Sequence, residues 1–337
     1  MPKIHFLNVN QGDCSIIEHH SGRLTMIDVC NAKPIEAYAE AVKKIGAASE
    51  KGVLGNFNQK KYPVNPIAYM KERGWTDIFR FVLTHPDMDR MDGIEELFRQ
   101  YSPTNFWDTD NTESKDDFSD GRYSEDDWNF YLSLRNGNPQ SNPKRLTLHS
   151  GSVGQYFNRN ENNEPGADGL HILAPTAELV TQANARGDYN DCSYVVLYRT
   201  GKHRILFAGD SHDATWDHIL ATHEADVKNV DILIAPHHGR DSDRSYEFLD
   251  TLKPALTLFG NADSDHLAYS AWNNRGLTKI TNNQSGSVMI DAETDTIFVY
   301  VTCQPFAKQS NAFTFEHMLY KGFHFWGAVQ RQQAMSA

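Results

Sequence analysis

The chain has 337 residues, 39% of them hydrophobic, and carries a formal net charge of -12 at pH 7. That length allows one large layered domain or two smaller ones. No apolar run approaches the roughly 18 residues of a membrane helix, and no signal peptide is visible, so the expectation is a cytoplasmic protein with no membrane partner. The acidic balance and the lack of a long basic run argue against a broad positive surface for nucleic acid, although a bound cation would invert the charge of a local site.

Lys3 to Val9 reads as a strand, Asn10-Gln11-Gly12-Asp13 as a turn and Cys14 to Glu18 as a second strand. Gly12 permits a tight backbone there, and Asp13 brings a carboxylate towards the end of the strands. His19-His20-Ser21-Gly22 reads as a far hairpin with both histidines at the surface. Leu24 to Asp28 follows, with Asp28 as a supporting carboxylate. Pro34 to Ile45 spells an amphipathic helix, and Asn65-Pro66 caps a short helix ending near Gly74. Cys14, Cys30, Cys192 and Cys303 are far apart and show no Cys-x-x-Cys pairing, which points to free buried thiols.

The most informative stretch comes next. Ile78 to Leu83 is an apolar strand, and polarity switches at Thr84. Within nine residues come His85, Asp87, Asp89 and Asp92. Pro86 keeps His85 out of the α region, so the imidazole leaves the strand in an extended or turn conformation. One imidazole and several carboxylates at the C-terminal edge of a strand suit a divalent metal, and nitrogen and oxygen donors fit zinc, manganese or iron. Ile94 to Gln100 then reads as a helix.

From Asp108 to Asp127 nine acids face two bases, Lys115 and Arg122. Residues 108–165 therefore read as a solvated acidic insertion with one helix, capped by Ser124 and running to Leu134. A lid over a site, or a contact for a basic partner, is the functional alternative. Asp108 and Asp110 open this insertion after a strand end. His171 to Pro175 is a strand, Ala177 to Ala185 a helix, and Tyr194 to Arg199 with Arg204 to Asp210 a hairpin. Val230 to Ala235 delivers Pro236-His237-His238-Gly239, and two adjacent imidazoles after a strand rarely serve a core. Ser245 to Leu252 is helical, and Ala255 to Phe259 is a strand leading to Asp263, Asp265 and His266. Thr278 to Ile280, Ser287 to Asp291 and Thr296 to Val301 read as closing strands. The aromatic tail up to Trp326 is a partner contact if exposed and a core strand if buried. Gly327 to Ala337 is polar and expected to be frayed or helical. No glycine-rich nucleotide motif is present, so no organic cofactor is implied.

Thr84 to Gly93 resembles the metal loop of the metallo-β-lactamase superfamily, written His-x-His-x-Asp-His. It is closer to the soluble hydrolase domain of the ComEC/Rec2 competence proteins, where the second position is Asp. His85, Asp87 and Asp89 match, but Arg90 stands at the last His, and arginine cannot ligate a metal. The Asn10-Gln11-Gly12-Asp13 turn, the Asn190-x-x-Ser193 strand, Gly209-Asp210 and His237-His238-Gly239 extend the resemblance in order. It implies an α/β fold, the four-layer αβ/βα sandwich of the metallo-β-lactamase type, over residues 1–300, with 301–337 an extension on the same domain. It also implies a metal-dependent hydrolase of phosphodiester bonds, nucleic acid included, working through metal-activated water. One or two divalent ions follow, zinc first and manganese second. In a family-like pair, one ion takes His85, Asp87 and Asp210, and the other takes Asp89, Asp210 and His266. Catalysis falls to Asp89 and to His237 or His238, with His238 preferred as donor to a leaving group. Arg90 either holds a carboxylate or clamps a substrate phosphate. No His directly precedes the Tyr194 hairpin; Asn190 and Asp191 stand there, with His149 and His171 upstream. A hydrolase of a small ester, lactam or thioester, and a binding or scaffold protein without catalysis, are the other two readings.

Overall fold

The structure is a computed structural model describing residues 2–34, 56–138, 140–262 and 266–329. The helix expected from Pro34 to Ile45 lies outside the described residues beyond position 34, as do Asp263 and Asp265. The strands run in chain order as β1 (Lys3–Phe6), β2 (Ser15–Glu18), β3 (Leu24–Ile27), β4 (Arg80–Val82), β5 (Asn105–Trp107) and β6 (Lys144–Leu146). Then come β7 (Leu170–Ala174), β8 (Val195–Thr200), β9 (His203–Phe207), β10 (Ile232–Ile234), β11 (Leu256–Phe259) and β12 (Lys279–Thr281). The last are β13 (Val288–Asp291), β14 (Ile297–Val301) and β15 (His324–Val329).

They form two sheets. The first has nine strands in the order β15-β14-β13-β1-β2-β3-β4-β5-β6, and the second has six in the order β12-β11-β10-β9-β8-β7. β1 is central in the first sheet, antiparallel to β2 on one side and to β13 on the other, where Lys3 faces Asp291 and Phe6 faces Val288. β3 to β6 run parallel, as do β9 to β12.

Burial on both faces explains the near-continuous apolar strands. Ile205, Phe207, Ile232 and Ile234 point into the core between the sheets, together with Ile4, Phe6, Val82 and Trp107 of the first sheet. Their neighbours Leu206 and Leu233 point outward, onto Trp216, Ile219, Phe248 and Trp272 of the second sheet's outer layer. Met26 and Phe81 point out of the first sheet onto Met70, Leu97, Phe98 and Tyr131. Helix, sheet, sheet and helix thus make four layers, and the fold is the αβ/βα sandwich of the metallo-β-lactamase type. All four cysteines are buried and free. Among the described residues, no helix is long and apolar enough to cross a membrane.

Three details depart from the sequence expectations. Within 108–165, Lys144–Leu146 adds an edge strand to the first sheet, and Trp128 and Tyr131 are buried. This stretch is therefore packed into the fold and is not a purely solvated excursion. Ser124 does cap its helix, accepting from Asp126 N–H at 3.1 Å. Gly327 to Val329 belong to β15, paired with β14, and are not frayed. His19 is buried and not a surface residue: the hairpin folds its ring against Tyr198.

Two expected results follow from this packing. Helix Ile94–Tyr101 starts at Gly93, which has no side chain to cap it. Asp127 from the insertion does so instead, accepting from Gly93 N–H at 2.9 Å and from Glu95 N–H at 3.1 Å. Asp127→Ala is therefore expected to cost about 0.5–2 kcal/mol in urea unfolding, the usual worth of a cap. His19 is the second case. Arg80 donates to Thr25 Oγ1 at 2.8 Å, and that hydroxyl in turn donates to His19 Nε2 at 2.7 Å. Burial holds the His19 imidazole neutral, its pKa pushed down to about 3. The unfolded chain protonates this residue first, so its stabilising contribution is full above about pH 6.5 and is lost as pH falls towards 3. Denaturant melts over that window should show a slope approaching ~1.4 kcal/mol per pH unit, reduced in His19→Gln.

Candidate metal centre

The parallel strands β4, β9, β10 and β11 all end at one edge of the sandwich, where ligands of open α/β sheets bind. β4 delivers Thr84 and His85. Thr84 donates from its N–H to Asp28 Oδ1 at 2.8 Å and from its hydroxyl to Asp28 Oδ2 at 2.7 Å. With its proton spent, the Thr84 oxygen accepts from His85 Nδ1, 3.1 Å away. The imidazole therefore keeps its proton on Nδ1 and presents a lone pair on Nε2. That Nε2 is buried and has no hydrogen-bond partner. Asp210 Oδ2 lies 3.4 Å from it and Asp87 Oδ2 3.5 Å.

An orphaned imidazole lone pair flanked by two carboxylates is what a divalent cation resolves. Among the described residues, His85, Asp87 and Asp210 are the group whose donor atoms converge this way. Their chemistry fits the metal expected from the sequence. Asp210 is reached through Gly209, whose φ of +53° favours glycine. A Cβ there would stand 3.0 Å from Ser193 Cβ and 3.1 Å from Thr84 Cβ. Ser193 accepts from the Asp210 N–H at 3.2 Å, which accounts for the serine of the Asn-x-x-Ser segment that turns into β8 beside the Gly-Asp turn.

Arg90 is fully buried and holds carboxylates. Its Nη1 lies 2.5 Å from Asp13 Oδ2 and 3.5 Å from Asp28 Oδ2, and its Nη2 donates to Asp210 Oδ1. Asp210 thus offers one oxygen to the guanidinium and the other to the His85 side. Gly12 makes this approach possible: a Cβ there would lie 2.2 Å from the Asp89 carbonyl oxygen. The Asp13 carboxyl is brought down to about 2, because His238 and Arg90 outweigh the desolvation that opposes its charge.

The adjacent histidines have different environments. His238 is buried between Asp13 Oδ1, 3.1 Å from Nδ1, and Asp89 Oδ2, 3.0 Å from Nε2. Both ring nitrogens face carboxylates. Burial and Arg90 oppose its charge, yet the two acids prevail and raise its pKa. His237, at φ +50°, faces the cleft and has its Nδ1 3.3 Å from Arg244 Nη2 and 3.1 Å from Ser242 Oγ. A guanidinium only donates, so Nδ1 accepts and the proton sits on Nε2. Burial, with His238 and Arg244 nearby, pushes the His237 pKa down to about 3, so the ring is neutral at pH 7. Nε2 lies 3.8 Å from Asp210 Oδ2. No local pattern in the sequence announces Arg244 as the residue that sets this tautomer.

The cleft over these groups has a volume of about 640 Å³. Asp87, Asp89, Asp210, His237, His238, Arg240 and His266 line it, and so do Glu113, Asp116, Asp117 and Asp120 from the acidic segment. Of the residues expected in a metal pair, His85, Asp87 and Asp210 converge. Asp89 is engaged with His238 and stands outside that group, and His266 is an exposed residue of the cleft wall. Asp108 is held by Arg145 at 2.9 Å and does not line the cleft.

No protein-family profile matches the chain, and no curated protein matches it. Solved structures do. The metallo-β-lactamase fold protein YhfI from Bacillus subtilis is 10% identical over 83% of this chain and 96% of its own, with a TM-score of 0.43. Igni18, a metallo hydrolase from Ignicoccus hospitalis, is 12% identical over 86% of this chain and 100% of its own, with a TM-score of 0.47. CmlA, a diiron β-hydroxylase from Streptomyces venezuelae, is 12% identical at a TM-score of 0.42, over 82% of this chain and 52% of its own.

Proposed function

We propose that this chain is a metal-dependent hydrolase that works with one divalent ion held by His85, Asp87 and Asp210. The buried, unpartnered His85 Nε2 between two carboxylates carries this reading. An ion bound there supplies a Lewis acid and lowers the pKa of a bound water. Zinc is the first candidate and manganese the second, since both accept nitrogen and oxygen donors. Arg90 supports a single ion. In the resemblance, a second ion would take Asp89, Asp210 and His266 and is weakened by the missing His at position 90; here the guanidinium fills that position and pairs with Asp210.

The chain's own groups then divide the work. Asp28 and Thr84 hold the His85 tautomer. Ser193 and Arg90 orient Asp210. His237 offers an Nε2–H to an oxygen that gains charge in the reaction or leaves with it. His238, fixed between Asp13 and Asp89, is a positioning residue, so the donor role preferred for it from the sequence moves to its neighbour. His237→Ala is expected to retain metal and lose about 10²- to 10⁴-fold in kcat, the range for a general acid or an electrostatic donor. His238→Ala should instead lower thermal stability, because it removes the imidazole between two buried acids and leaves Asp89 without its hydrogen-bond partner and Asp13 with Arg90 alone.

The substrate is small. Seven acids and three bases line the cleft, and such walls repel an extended polyanion. A small phosphodiester is the first class, in keeping with the ComEC/Rec2 resemblance, and long nucleic acid is a poor substrate. The acidic walls favour a second reading, a neutral or cationic ester or lactam. A panel of a model phosphodiester, single-stranded DNA, aryl esters and a chromogenic lactam, each with zinc or manganese and with chelator, tests this. Metal-dependent turnover of the small phosphodiester supports the first class, and preferential ester or lactam turnover moves the assignment to the second. Tight binding of one ion with no turnover of any class would favour the scaffold reading.

A further inference from the structure

A second cluster of reactive groups lies outside the metal cleft, on the helix Asp213–Val227. Ser150 Oγ is 2.9 Å from His223 Nε2 and 2.9 Å from His218 Nε2. On its other side, His223 Nδ1 is 3.3 Å from Asp226 Oδ2, and Asp226 Oδ1 is held by Arg199 at 2.6 Å. In a regular helix, residues five apart project about 140° from each other around the axis. Two such imidazoles meet at one hydroxyl here because the helix breaks at His223, where φ is -129° and ψ 19°.

The carboxylate sets the direction of the protons: Asp226 only accepts, so His223 carries a proton on Nδ1 and its Nε2 accepts from Ser150. Thr222 spends its hydroxyl proton on the His218 carbonyl at 2.7 Å, so its oxygen, 3.4 Å from His218 Nε2, accepts. With its own proton given to His223, the Ser150 oxygen accepts from His218 Nε2. Hydroxyl, imidazole and carboxylate in that order are the groups of an activated nucleophile, recognised by geometry and role and not by chain position.

We propose that Ser150 is a nucleophilic acyl acceptor, with His223 as its base and Asp226 orienting the base, and that its substrates are activated acyl donors such as aryl esters or thioesters. Ser150 Oγ forms a bond to the acyl carbon, and the bond from that carbon to the aryloxide or thiolate breaks. The Ser150 proton passes to His223 Nε2 and then to the leaving group or to solvent. The nearby backbone donors are already used: Gly151 N–H on the Ile172 carbonyl at 3.0 Å and Ser152 N–H on the His149 carbonyl at 2.9 Å. Neither amide is free to stabilise an oxyanion, so acylation relies on the activated leaving group of the donor; the alkyl ester formed on Ser150 lacks such a leaving group and hydrolyses slowly, so the reaction stops at one acyl group per chain.

p-Nitrophenyl acetate is the probe, with intact-mass analysis and peptide mapping as readout and chelator present throughout, so that the metal centre does not contribute. The expected result is a single acetyl group on Ser150, formed ahead of the other serines and lysines. It should be absent in Ser150→Ala and slowed by about 10²-fold or more in His223→Gln, the lower bound for a general base. Asp226→Asn should slow it as well. Acetylation spread over the chain without preference for Ser150, or an unchanged rate in His223→Gln, would overturn the assignment.

Discussion

An Asp210→Asn chain should fold, bind its metal at least about 100-fold more weakly and show no measurable metal-dependent hydrolysis. A group that only orients a ligand is worth about 10- to 100-fold in affinity, and a ligand exceeds that. Asp210 contributes a charged oxygen 3.4 Å from the unpartnered His85 Nε2, and the amide keeps the volume while losing the charge. The amide oxygen still accepts from Arg90, so the turn after β9 should hold. Calorimetric titration with zinc measures the affinity, and the substrate panel measures turnover. Native-like affinity in Asp210→Asn would mean that the ion sits elsewhere.

Removing the guanidinium at position 90 is the second large change. Arg90 is buried against Asp13, Asp28 and Asp210, and breaking a buried pair from one side costs about 3–5 kcal/mol, because the charge left behind stays desolvated. Arg90→Met should lose that much in chemical denaturation and recover part of it on addition of a divalent ion. Arg90→His restores a ligand, so it should bind close to two equivalents, against the one expected of the native chain. A native-like melting curve for Arg90→Met, with no response to metal, would show that the carboxylates do not depend on a cation at this position.

The centre was legible where its signals are local. Thr84-His85-Pro86, Gly209-Asp210 and Pro236-His237-His238 each follow an apolar strand, and each strand ends at the same edge of the sandwich. The contacts between them were not legible. Asp13 and Arg90 are 77 positions apart, and Arg90 and His238 are 148 apart. Arg90 read as a lost ligand free to hold a carboxylate or a substrate phosphate, and only the folded chain shows which carboxylates it holds, Asp13, Asp28 and Asp210. Among the elements that escaped, two show the physical reason. β6 is three residues, Lys144–Leu146, with no apolar alternation to mark it. Helix Asp213–Val227 buries Thr215, Trp216, Ile219 and Val227, a stripe too broken by polar residues to signal a helix, and no side chain caps its start.

The position of β1 has a consequence for how the chain reaches this fold. Its second neighbour is β13, so the interior of the first sheet waits for a segment some 285 residues downstream. During synthesis β2 to β6 can assemble beside β1, but its far edge stays bare, a row of unpaired backbone groups open to pairing with other chains. The apolar partner that closes it arrives only after the second sheet has emerged. Folding of this chain is therefore expected to wait for the pairing of β1 with β13, and the interval before that step is when a nascent chain is most exposed to aggregation.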